Sequence, residues 1–255
     1  MCKFMFSAPA LILILAGVAA GQHQSTLYPA GLSFQYGLGQ YSVRDEYISK
    51  ERYSGTLPYV SAEWSRFHET WGYRMSFEFR HATDIRNNNV TAEILQAALY
   101  RDYIYPVGRK SLLGKDAHLF LGPATGIHMY FNDQKIAAQH ALNIDFSTAI
   151  LFSLGMNAMV IIPFQSNLQL EGSLRLSLLA IGVRSTDVVE EEGSMGGILT
   201  VLSGTDPTAD CGIRYFIKDK LSLKAAYKLQ ILSISKWNPL LSVSDNITLS
   251  ISYHL

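Results

Sequence analysis

Cysteine is almost missing from this 255-residue chain: the two present are Cys2 and Cys211. Cys2 falls in a stretch that reads as a leader, so the rest of the chain holds a single thiol and cannot form an internal disulfide. A small extracellular domain stapled by bridges is thereby excluded. Net charge is missing as well, because 21 basic residues balance 21 acidic ones. Nothing in that balance attracts nucleic acid or an acidic polymer. No glycine-rich phosphate loop, CxxC pair or EF-hand spacing occurs, so no cofactor and no metal is assigned. Beyond the leader, no run is long and apolar enough to cross a bilayer as a helix, which takes about 20 residues. The 48% hydrophobic content must be arranged in another way.

The leader is residues 1–21. Lys3 precedes the apolar run Leu11 to Val18, and the small residues Ala19, Ala20 and Gly21 follow. This is the layout of a secretory signal peptide, with cleavage expected after Ala20 or Gly21. Residues 22–255 are then expected to form one domain.

What is present instead of long apolar runs is alternation. In "NITLSISYHL" at the end of the chain, Ile247, Leu249, Ile251, Tyr253 and Leu255 take every second position. Thr248, Ser250, Ser252 and His254 fill the gaps. A period of two is that of a strand with one apolar and one polar face. Leu32, Phe34, Tyr36 and Leu38 repeat the pattern, as do Tyr73, Met75, Phe77 and Phe79. So do Leu168, Leu170, Leu174, Leu176 and Leu178, and the segment from Leu221 to Ile231. About ten strands are expected, near 29–41, 58–67, 73–81, 91–105, 117–131, 141–160, 168–184, 197–216, 221–234 and 246–255. Short connections at 68–72, 161–167 and 217–220, with a longer one at 107–116, take turns with polar stretches at 42–57, 82–90, 132–140, 185–196 and 235–245. Gly204 and Pro207 predict a bulge or break within the eighth strand.

Short turns at one end, long loops at the other, an even strand count and a closing terminal strand make the sequence resemble the outer-membrane β-barrel proteins of Gram-negative bacteria. The resemblance covers nearly the whole chain after the leader. It implies an all-β, closed antiparallel up-and-down transmembrane barrel of about ten strands, located in the cell outer membrane. Its expected partners are outer-membrane lipid, lipopolysaccharide and the barrel-assembly machinery. The terminal alternation is similar to the signal that machinery reads, although this chain ends on Leu255 where the family usually has an aromatic. Trp71, Tyr73, Tyr103, Tyr105, Phe164, Tyr215 and Phe216 would form a girdle beside the short turns, and Tyr41, Phe131 and Trp237 one beside the long loops.

With the apolar faces in lipid, the opposite faces would gather Glu63, Arg74, Glu78, Arg80, Asp145, Glu171, Arg175, Arg214, Lys224 and Lys228 in the lumen. Charges of both signs in so narrow a space must pair or be hydrated. Arg74 and Glu78, about 13 Å apart on one strand, need partners on other strands, and Glu63 is one candidate. The lumen is then either a salt-bridge network that fills the barrel or a narrow polar path whose selectivity the charges set. No catalytic residue is assigned. His118 and His128 share a face about 33 Å apart, too far to share a ligand. Two other readings stand beside the barrel of structural or transport type. One is an outer-membrane hydrolase with its site among the surface loops, where Asp84, Asp133, His140 and Asp245 lie. The other is a soluble periplasmic β-sandwich or lipocalin-like binding protein, whose apolar faces would point inward. The acidic run Glu190 to Glu192 reads as a solvated loop tip, and Cys211 as a small outward residue.

Overall fold

The computed structural model describes residues 30–46, 49–67, 70–87, 90–136, 146–186, 193–236 and 239–255. The leader, Asp145, His140, Glu190 to Glu192 and Trp237 lie outside the described residues.

Every described element is a strand, and every ladder is antiparallel. β1 (Gly31–Asp45) pairs with β2 (Ser49–Thr56) at one end and with β3 (Tyr59–Phe67) at the other. One register continues through both, so β2 and β3 act as a single wall strand. It is interrupted at Leu57 and Pro58, where proline has no N–H to give to a ladder. Next come β4 (Gly72–Arg86), β5 (Val90–Leu112), β6 (Lys115–Ile136), β7 (Phe146–Gln165) and β8 (Leu168–Thr186), each paired with its predecessor. The eighth wall position is shared by β9 (Gly193–Thr200), β10 (Gly204–Thr205) and β11 (Thr208–Lys218), broken where Gly204 and Pro207 predict it. β12 (Leu221–Ile234) and β13 (Leu240–His254) follow. β13 pairs with β1 along its whole length, from Gly31 opposite His254 to Asp45 opposite Leu240. Ten wall positions thus close on themselves, and the terminal strand has no free edge.

The strands are longer and the connections shorter than the polar stretches suggest. Residues 107–112 and 115–116, expected as a turn, continue β5 and β6 as a two-stranded ribbon. The turn itself is Leu113 and Gly114, both at positive φ (54° and 71°), the geometry of a tight primed hairpin turn. Most of 42–57 and 82–90 is likewise strand. These segments look like loops because their outward positions are polar. Polarity there marks the edge of the apolar band and does not end the backbone ladder.

The apolar faces point out. Ile247 and Leu249 are 64% and 63% exposed, while their neighbours Thr248 and Ser250 line the inside at 0% and 9%. This is the reverse of a soluble sandwich or lipocalin-like barrel and overturns that reading.

Candidate functional site

The interior is layered. Nearest the end that carries the turns at 113–114, 166–167 and 219–220 lies a polar cavity of about 110 Å³. Its wall holds Glu63, Arg74, Glu78, Glu171, Asp210, Lys224 and Lys228, with Ser33, Ser61 and His254 among the uncharged groups. Each charge is where strand alternation puts it, but its partner is set by the stagger between strands.

At the mouth of the cavity, Glu171 on β8 accepts from Arg214 on β11 through Nε (2.5 Å) and Nη2 (3.1 Å). Lys224 on β12 lies 3.2 Å from the same carboxylate and also bonds Asp210. The other end of Arg214 reaches Ser222 and Ser252 at 3.1 and 2.8 Å. Deeper in, Asp102 on β5 is fully buried and receives two guanidinium groups. Arg74, directly opposite it on β4, gives bonds of 3.0 and 2.8 Å. Arg175 reaches from β8 with bonds of 3.0 and 2.7 Å, its guanidinium 4.0 Å above the ring of Tyr100. Next, Glu78 on β4 bonds Lys228 on β12, which also donates to the Tyr59 hydroxyl at 2.8 Å. Arg80 completes this group, 3.4 Å from Glu78 and stacked on Tyr59 at 4.6 Å. Strands far apart in the ring are thereby tied across the lumen. Because a buried charge is costly without a partner, these pairs must form together.

Beyond the charged layers the inward residues become apolar. Tyr41, Val43, Tyr53, Leu57, Ile85, Ala92, Ile94, Tyr130, Ala149, Leu151, Ala180, Leu199, Leu232, Ile234 and Leu240 form one packed cluster, none more than 2% exposed. They come from β1, β2, β4 to β9, β12, β13 and the β2–β3 junction, so the cluster is a septum across the lumen. Gln96, donating 3.0 Å bonds to Tyr41 and Ser242, forms its polar underside. Above it a second small polar set closes the outer end: Asp45 bonds Arg184 and accepts from Ser147 at 2.5 Å.

The likeness to solved structures supplies the remaining observation. The outer membrane protease OmpT from Escherichia coli superposes with a TM-score of 0.51 at 6% identity, covering 89% of this chain and 97% of that one. The fold is that of an outer-membrane β-barrel. The barrel is also similar, at a TM-score of 0.47 and 14% identity, to the translocator domain of the autotransporter NalP from Neisseria meningitidis, with 97% and 93% of the two chains covered. Neisserial surface protein A follows at 0.36 and 14%, covering 88% and 97%. No protein-family model matches the chain, and no curated protein matches it in sequence.

Of the charged residues expected in the barrel's lumen, Glu63, Arg74, Glu78, Arg80, Glu171, Arg175, Arg214, Lys224 and Lys228 all face it; Asp145 is not described. Glu63 is a secondary partner of Arg74, at 3.9 Å, and the main one, Asp102, is missed by the sequence reading. The signal was available: Asp102 shares the parity of the inward Ala98 and Tyr100. Asp45 and Arg184 are missed as well: Asp45 lies in the polar stretch 42–57, which reads as a connection, and Arg184, at the end of the strand expected near 168–184, falls on the outward parity counted from Leu178. Two aromatics assigned to the girdles turn inward. Tyr41 is 1% exposed in the septum, and Phe216 packs against His254, ring centroids 5.6 Å apart. Both sit on the inward parity of their strands, and proximity to a connection does not override that parity.

Proposed function

We propose that this protein is an outer-membrane β-barrel of structural type, sealed to ions and solutes, that holds its connecting loops at the cell surface. The exterior apolar band supports residence in a membrane, and the longer connections at 137–145 and 187–192 would face outside, opposite the short turns. What carries the reading is the apolar septum: a path along the lumen would have to pass a packed layer whose only side-chain polar atoms are the buried hydroxyls of Tyr41, Tyr53 and Tyr130, too few to replace a hydration shell. The charges at the cavity end also favour structure over selectivity, since they are engaged with one another. Arg175, a candidate for setting selectivity in a channel, is held by Asp102 and Tyr100. Reading the lumen as a narrow solute path would require the septum to move.

Planar-bilayer recording of the refolded chain tests this. Purified protein whose unboiled form migrates as a compact, heat-shifting band should give no steady single-channel steps. Reproducible ohmic conductance from such a preparation would overturn the sealed-barrel reading in favour of a pore.

A further inference from the structure

Arg101 and Asp102 are adjacent in β5, so their side chains leave opposite sides of the wall. Asp102 is consumed inside; Arg101 stands on the outer face, exposed, in the apolar band. A guanidinium there is costly the deeper it lies, unless it snorkels to a polar neighbour or finds an anion. Its protein contacts are aromatic. Nη2 donates to the Tyr103 hydroxyl, and the guanidinium lies 5.0 and 5.2 Å from the ring centroids of Tyr103 and Tyr73. Tyr73 packs edge-on against Tyr103 at 5.6 Å and against Trp64 at 5.4 Å. Arg66 on β3 sits directly across from Tyr73 and is exposed on the same face, closer to the short-turn end. Neither arginine has a carboxylate partner among the described residues.

We infer that Arg66 and Arg101, with Trp64, Tyr73 and Tyr103, form a binding site for the phosphate headgroup of an anionic phospholipid in the periplasmic leaflet. Planar guanidinium donors suit a phosphate. The aromatic rings hold Arg101 at the face and suit the interfacial level where headgroups sit. Arg101 points toward the Tyr103 side, which is the short-turn end, so the phosphate would approach from that rim. The inference rests on reading the outer face as lipid-facing, and the test separates the two.

The full chain is reconstituted in nanodiscs of phosphatidylcholine with a minority of phosphatidylglycerol, then released into mild detergent for native mass spectrometry. The wild type should retain phosphatidylglycerol at least about fivefold above its share of the bilayer. The double variant Arg66→Gln and Arg101→Gln should fall to that share while keeping its heat-shifted gel band. Arg101→Lys, which retains charge without the planar fork, should retain an intermediate amount and guards against a double variant that fails to fold. Retention by the wild type at the bulk share, or equal enrichment in both, would overturn the site while leaving the barrel standing. Lipopolysaccharide displacing the bound phospholipid would also overturn it, by assigning the face to the other leaflet. A wild-type chain with no heat shift would overturn the barrel, and the site with it.

Discussion

Arg175 and Asp102 are 73 residues apart in the chain and joined by two parallel hydrogen bonds in the lumen. The carboxylate is fully buried and shared with Arg74. One aspartate therefore holds two cations from two different strands, β4 and β8.

Asp102→Asn should leave Arg74 and Arg175 without their shared anion. Breaking a buried pair typically costs about 3–5 kcal/mol. The unfolding midpoint in urea, followed by loss of the heat-shifted band in lipid vesicles, should fall accordingly. An unchanged midpoint would show that the network contributes little. Asp84→Asn, which removes an exposed partner of Arg86, should leave the same midpoint unchanged, because solvent screens a surface pair.

The septum predicts where permeability can be created. Replacing Tyr41 and Tyr130 together by Ala should open a water path and give measurable ion flux from loaded vesicles, at the cost of stability. Arg175→Ala should lower stability without creating flux. If the charge variant leaked and the septum variant did not, the barrier would lie in the charged layer.

Ring closure can be locked covalently. Ser33 and Ser252 face each other on β1 and β13, their hydroxyls 2.7 Å apart. In a Cys211→Ser background, Ser33→Cys with Ser252→Cys should form a disulfide, and the oxidised chain should run differently from the reduced chain after boiling. Failure to cross-link in the folded, heat-shifting form would mean that β13 does not meet β1.

Cys211 is exposed on the outer face of β11. In vesicles it should react with a lipid-soluble maleimide and resist a membrane-impermeant, strongly charged one, with mass spectrometry as the readout. Rapid labelling by the charged reagent would place that face in water and turn the wall inside out.

The sequence by itself determined the strands, their number around the wall and which residues share a face, because alternation is a local property that survives without any partner. It placed nine lumen charges on the inward parity and located the break at Gly204 and Pro207. It could not decide whether the apolar face looks at lipid or at a core, since both give the same period; only closure of the ring, with Ile247 and Leu249 outside and Thr248 inside, settled that. Nor could it follow parity through the irregularities. Between Leu154 and Gly155 the β7–β8 register slips, so Leu178 and Leu179 both face out and Arg184 turns inward to Asp45. A Cβ on Gly155 would come within 1.9 Å of the Leu176 carbonyl oxygen, which is why glycine sits at that slip. A second slip between Ala82 and Ile85 turns Ile85 into the septum. One extra residue in a strand reverses every face beyond it. The septum and the choice of ion-pair partners depend on such shifts and on the stagger of ten strands, and neither exists until the ring has closed.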